Sequence, residues 1–264
     1  MEHEAILRLG IFLGLFAVFA CAEALAPRRA RTCPRSRRWI TNVTMSVINT
    51  LTLRLMAVAM PLLAIGAALD AGRNGWGLLN RLDWPGWAEL LLAVLALDLA
   101  LWAQHLLTHK WPLLWRLHRV HHADRDMDVT TAIRFHPVEI ALSMLVKIGL
   151  VYLLGADALA VLLFEILLNG TALFTHANLA LPRRLDAVLR LVIVTPDMHR
   201  VHHSRRRVEH DSNYGFALSV WDRLFGTYRA RPDHGHDRMT IGLHWQDDRP
   251  ARLDWSLTLP FRDP

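Results

Sequence analysis

Cysteine and lysine are scarce in this 264-residue chain: Cys21 and Cys33 are its only thiols, and Lys110 and Lys147 its only lysines. Two thiols exclude a disulfide scaffold, a four-cysteine zinc site and a cysteine-ligated iron–sulfur cluster. No HExxH sequence is present, so the usual zinc-hydrolase arrangement of two ligands and a general base on one helix is missing. There is no long Pro/Gly/Ser linker and no internal repeat beyond one short histidine motif, so the chain reads as one integrated unit over residues 1–264. The net charge of +6 rests almost wholly on arginine. Those arginines flank apolar segments, which points to a membrane surface and away from nucleic acid.

Apolar residues are plentiful, at 53%. The mean hydropathy of +0.20 is high for a soluble domain and low for a chain that is mostly bilayer span. Residues 5–26 are long and apolar enough for a membrane span. Ala24-Leu25-Ala26 resembles a signal-cleavage site, but the start Met1-Glu2-His3-Glu4 lacks the basic character of a signal peptide, so a retained anchor is expected. Residues 27–38 follow with six arginines, which places this loop in the cytoplasm by the positive-inside rule. A second apolar stretch covers 43–69, interrupted by Arg54 and Pro61, and the weakly charged stretch 70–86 fits the outer side. A third, 87–107, runs inward. Residues 138–154 and 157–174 look like two shorter helices of a re-entrant-like hairpin, joined at Gly155-Ala156-Asp157. From 182 onward the chain is polar and arginine-rich, a helical cap. The expected fold is all-α: an integral-membrane bundle of about four spans or embedded helices, with a histidine-rich cytoplasmic cap.

Nine of the 15 histidines fall in four sets. They are His105 with His109; His118, His121 and His122; His176; and His199, His202 and His203. The sequence His-Arg-Val-His-His occurs twice, about eighty residues apart. Helix positions three and four apart share a face, so each HxxHH aims its imidazoles at a small region. His118 and His122 would lie about 40° apart around a helix, and His121 about 100° from His122, so one triplet can serve two metals. Imidazole suits iron, copper and zinc, and a tetrahedral zinc needs only about four ligands. Nine clustered histidines therefore point to two metals. The alternative for each triplet is a basic surface helix, since arginines lie nearby; two identical triplets make chance a poor explanation.

Three further positions carry open alternatives. Asp98 lies seven residues before His105 on one helix face, inside a span where an unpaired carboxylate is costly. It either orients an imidazole or pairs with an arginine or hydroxyl elsewhere in the bundle. His176 stands alone, with Asn169 two turns earlier on its face; a ligand and a bundle histidine satisfied by hydrogen bonds are equal readings. His136, before Pro137, is similar. His3, His210, His234, His236 and His244 read as surface residues.

Taken together, the stretches Asp98 to His109, Leu114 to His122, Thr130 to Glu139, Phe174 to Asn178, Thr195 to Ser204, and Asp211 to Tyr228 resemble the fatty acid hydroxylase/sterol desaturase superfamily of integral-membrane oxygenases. The resemblance covers residues 90–245. It implies two irons on histidines, dioxygen as co-substrate, and hydroxylation or desaturation of a lipid. The lipid would be a fatty acyl chain, sterol, carotenoid or modified lipid. Carried over, the ligands would be His105, His109, His118, His121, His122, His176, His199, His202 and His203, with His136 as a tenth. Asp98 and Asn169 would act beside the metals. Electrons would come from a separate protein of cytochrome b5, ferredoxin or reductase type, and the chain would sit in a bacterial inner membrane with its site facing the cytoplasm. The rivals are a zinc-dependent membrane hydrolase and a non-catalytic protein on the same fold.

Overall fold

The computed structural model describes residues 2–59 and 63–262; the expected interruption at Pro61 lies outside them. The architecture is all-helical, and among the described residues the only β-pairing is three isolated bridges. Long helices α1 (Glu2–Leu25), α2 (Arg35–Ala59), α4 (Gly86–Lys110), α6 (Pro137–Leu154) and α7 (Ala158–His176) form the bundle, with the shorter α3 (Ala64–Asn74) beside α6 and α7. Short helices form the cap: α5 (Pro112–His122), α8 (Arg183–Leu189), α9 (Pro196–His202) and α10 (Arg207–His210). Among the described residues, α1, α4, α6, α7 and the stretch containing α2 and α3 are long and apolar enough to cross a membrane. Their outward residues, among them Leu13, Val18, Leu51, Leu55, Leu153 and Leu167, are exposed and apolar. A continuous apolar belt of this kind is the signature of a lipid-facing surface. The chain is an integral-membrane helical bundle.

The expected hairpin is present as α6 and α7. At 18 and 19 residues, about 27 and 29 Å at the usual helical rise, both are long enough to cross the apolar layer. Pro137 opens α6, where a missing N–H costs nothing. Gly155, at φ +68°, ends it in the left-handed conformation. That turn packs on Gly77, also left-handed: a Cβ at Gly77 would lie 2.1 Å from the Gly155 nitrogen. The far end of the hairpin is thereby pinned to the α3–α4 connection, and the Leu78 N–H donates to the Leu153 carbonyl across the same contact. The apolar core of Leu97, Ile148, Val151, Val161 and Phe164 fills the space between α4, α6 and α7.

At the opposite end lies a polar knot. Arg38, at the start of α2, is 2% exposed and donates from Nε and Nη2 to both oxygens of Asp124, at 2.6 and 2.8 Å. Its Nη1 reaches Asp128 at 2.6 Å. Arg134 donates to the Val120 carbonyl, Asn42, the Pro250 carbonyl and Ser256. These bonds fasten α2, the end of α5, the 3-10 turn Val129–Ile133 and the C-terminal segment to one another. The arginine-rich loop packs on the cap as well, with Arg28 on Asp197 and the Arg29 N–H donating to Asn178. Loop and cap therefore lie at the same end of the bundle.

Removing one partner of a fully buried ion pair strands a charge, at a cost of about 3–5 kcal/mol. Arg38→Ala is expected to lower the thermal unfolding midpoint of the detergent-solubilised protein markedly. Arg37→Ala, in an exposed pair with Asp248, should leave it within a degree or two.

Candidate metal centre

The cap ends of the long helices deliver the histidines. His105 and His109 occupy the last two turns of α4, and His176 is the final residue of α7. His118, His121 and His122 end α5, and His199 and His202 lie on α9 with His203 as its C-cap. α9 starts at Thr195, whose hydroxyl accepts from the Met198 N–H, with Pro196 in the first turn. All nine imidazoles are buried.

They converge as two groups. His105, His109, His118, His122 and His202 offer ligand nitrogens all within 4.8 Å of one another, and His121, His176, His199 and His203 do the same. Each HxxHH triplet is split between the groups. His118 and His122, nearly eclipsed on α5, serve the first, and His121, turned about 100° away, serves the second. The α9 triplet divides the other way, with His202 in the first group and His199 and His203 in the second.

Hydrogen bonds on the outer side fix the ring tautomers. Carbonyl oxygens can only accept, so the Nδ1 atoms facing them must carry the proton. His105 Nδ1–H donates to the Tyr214 carbonyl at 2.7 Å, His202 Nδ1–H to the Ser212 carbonyl at 2.7 Å, His176 Nδ1–H to the Ala172 carbonyl at 2.7 Å and His121 Nδ1–H to the Arg134 carbonyl at 3.2 Å. His118 Nδ1–H donates to the Glu139 carboxylate at 2.6 Å. The Nε2 atoms of these rings are then bare lone pairs. They face one another at 3.0 Å in the pairs His105–His118, His105–His202 and His121–His176. Protonation does not relieve the contact, because burial and the neighbouring imidazoles push His121 and His202 well below the usual imidazole range, with His122, His199 and His203 shifted the same way. Converging neutral nitrogens held from behind are a donor set for a cation. Nitrogens 3.0 Å apart are close enough for neighbouring imidazoles to share one ion.

The surroundings keep water out. Phe135 stacks on His121 with ring centroids 4.4 Å apart, and Phe216 lies 4.8 Å from His105. Tyr214, fully buried, contacts the rings of His105, His109 and His202. Asp222 holds this tyrosine in place by accepting from the Tyr214 and Gly215 N–H groups at 2.8 and 2.9 Å. Burial pushes the Asp222 carboxyl upward.

Several expected positions sit elsewhere. Among the described residues Asp98 meets neither an imidazole nor an arginine; it accepts from Trp221 Nε1 at 2.8 Å and the Leu218 N–H at 3.3 Å, tying α4 to the cap. His136 lies outside both groups because both its nitrogens are engaged: Nδ1 caps α6 by accepting from the Val138 N–H, and Nε2–H donates to the Leu257 carbonyl. Asn169 Nδ2 donates to the Glu165 carbonyl of its own helix, away from the histidines. His210, expected at the surface, is buried and stacks on Trp115 at 5.2 Å, next to His109. Glu139 was missed as a partner of His118. It lies 21 residues away in sequence, and only the folding back of α6 joins them. His210 lies on a separate short helix just beyond the second HxxHH segment, and nothing in the sequence around it marked it as buried.

Glu139→Gln is expected to reduce metal retention about ten- to hundredfold, the usual loss when a ligating histidine's outer partner is weakened, read by metal analysis after dialysis against a chelator. Asp98→Asn should lower the unfolding midpoint while leaving metal content intact. Loss of metal from the Asp98 variant would contradict its placement on Trp221.

Comparison with known proteins bears on what such a centre does. Residues 90–227, just over half of the chain and including all nine histidines, match the family model described as Fatty acid hydroxylase. The ornithine lipid hydroxylase OlsE of Rhizobium tropici is 33% identical over 154 residues, 57% of this chain and 44% of that protein. The alkylglycerol monooxygenase of Homo sapiens is 31% identical over 167 residues, 62% of this chain and 35% of that protein. The enzyme of the same name from Danio rerio is 31% identical over 151 residues, 57% and 32%. The chain spans less than half the length of these curated relatives. No solved structure matches. With the family model spanning the bundle-to-cap region that carries both histidine groups, the chain belongs to the fatty acid hydroxylase family.

Proposed function

We propose that the chain is a membrane lipid hydroxylase whose two histidine groups hold a pair of irons. The observation that carries this reading is the set of Nε2 lone pairs facing one another at 3.0 Å with their Nδ1 protons committed outward. Iron bound there would supply the activation of dioxygen against an unreactive C–H bond. The ligands are His105, His109, His118, His122 and His202 for one ion and His121, His176, His199 and His203 for the other. Glu139 and the carbonyls of Tyr214, Ser212, Ala172 and Arg134 hold the rings in register. Phe135, Phe216 and Tyr214 exclude bulk water, which protects a strong oxidant from quenching.

A lipid substrate is supported by the position of the centre at the ends of the apolar helices and by the relatives, named for ornithine lipid and alkylglycerol. Those names favour a polar-headed lipid over a sterol or carotenoid. Desaturation would use the same site and differ only in the fate of the substrate radical. Electrons would come from a separate donor protein. The arginine loop packed on the cap supports a cytoplasmic centre in a bacterial inner membrane, by the positive-inside rule.

His118→Ala and His203→Ala are each expected to abolish product formation and lower bound iron, whereas His234→Ala, on an exposed residue, should change neither. The readout is lipid mass spectrometry of cells with and without the chain, beside metal analysis of the purified protein. A gain of one oxygen marks a hydroxylase, a loss of two hydrogens a desaturase, and zinc alone with hydrolytic activity would replace this reading. For topology, single cysteines in place of the exposed residues Ser36 and Arg231, with Cys21 and Cys33 replaced, should both resist an impermeant maleimide applied to intact cells. Labelling of either from outside would reverse the orientation.

A further inference from the structure

Beside the first histidine group lies a cavity of about 250 Å³ that the metal ligation does not use. His109 forms its floor, with both ring nitrogens buried and free of hydrogen bonds, and Trp115 and Pro112 form a wall. At its mouth stand Lys110 and Arg207, with side chains 49% and 78% exposed, on either side of Asp211. Asp211 accepts from Lys110 Nζ at 2.8 Å and lies 3.5 Å from Arg207 Nε. Two cations share one carboxylate, so the mouth keeps a net positive charge. That balance favours an anion and disfavours a further metal ion, although His109, His210 and Asp211 offer ligand atoms close together.

Close in sequence to the lining residues, Leu107, Trp111, Leu113 and Val208 are apolar and exposed. Tryptophan and lysine beside leucine, at the end of a membrane-crossing helix, mark the level of lipid head groups. His210 adds an acceptor. Its Nδ1–H donates to the Ser204 carbonyl at 3.0 Å, which leaves Nε2 as a lone pair. Cations, an acceptor and a carboxylate around a small cavity match a head group that carries both an anionic group and hydroxyl or amine protons. The cavity has room for such a head group.

On the strength of the lipid-oxygenase reading, we propose that this cavity is the head-group subsite for the substrate, seating a phosphate or carboxylate between Lys110 and Arg207. The polar end of the lipid then lies against His109, and its chain runs out past Trp111 and Leu113 into the bilayer.

The test is equilibrium binding to the metal-loaded protein in detergent, by calorimetry. The probes are dihexanoylphosphatidylglycerol, the uncharged dihexanoylglycerol and inorganic phosphate. The phospholipid should bind about tenfold tighter than the uncharged lipid, the scale of one charge-assisted hydrogen bond. Lys110→Gln combined with Arg207→Gln should erase that preference without moving the unfolding midpoint, and Lys110→Arg should retain it. Equal binding of the two lipids, a preference that survives the double substitution, or displacement of the phospholipid by an equal concentration of inorganic phosphate would each overturn the proposal. Binding needs no turnover. Charge-dependent binding without any oxygen gain in the lipids would leave the subsite standing and remove the oxygenase reading; oxygen gain without charge-dependent binding would do the reverse.

Discussion

Neutral imidazole nitrogens that face one another in a dry interior have no hydrogen bond to make. That single constraint organises the cap. In His105, His118, His121, His176 and His202 the outer Nδ1–H is committed to a carbonyl or to Glu139, so their inner lone pairs cannot be relieved by a tautomer change. Protonation is opposed by burial. An unsatisfied buried polar group costs about 1–3 kcal/mol, so several together weigh heavily against the roughly 5–15 kcal/mol that keeps a typical domain folded. A cation at each group would turn this liability into cohesion, tying α4, α5, α7 and α9 together.

The arginines have a second role that composition does not reveal. A run of six in residues 27–38 reads as a topology signal. Arg38 from that run is instead almost wholly buried, gripping Asp124 and Asp128 just beyond the α5 histidines. Arg28 and Arg29 hold Asp197, on the histidine-bearing α9, and Asn178, just after His176. The arginine-rich segment thus braces the elements that carry the clustered histidines. The charges around the two histidine groups are thus balanced pair by pair at their periphery, and the carboxylates that reach the rings are Glu139 on His118 and Asp211 near His109.

Much of this was legible in the sequence because helices are periodic. The three- and four-residue spacings place His105 with His109 and split each HxxHH triplet between two directions, and apolar run lengths mark the long helices. What stayed hidden depends on contacts between distant segments. Asp98 shares a helical face with His105, but the partner that claims it, Trp221, arrives from the cap 123 residues later. His136 carries the same imidazole as the ligands, yet its place before Pro137 commits it to capping a helix. His210 looked solvated because its neighbours are charged, and only the stacking of Trp115 against it shows that it closes a cavity. Residue type was read correctly in each case; the direction in which the side chain points is set by tertiary packing.

The divided triplets carry a consequence for assembly. Since α5 and α9 each contribute to both groups, neither group can be taken apart alone. An ion in one group would fix the pitch and rotation of both short helices, and so would help hold the nitrogens of the other in place. The centre should therefore load as a unit: half-filled molecules would be scarce at any metal supply, and the population would consist of complete centres beside empty, loosened caps. A cell short of metal would then hold fewer working copies of this protein, each of them whole.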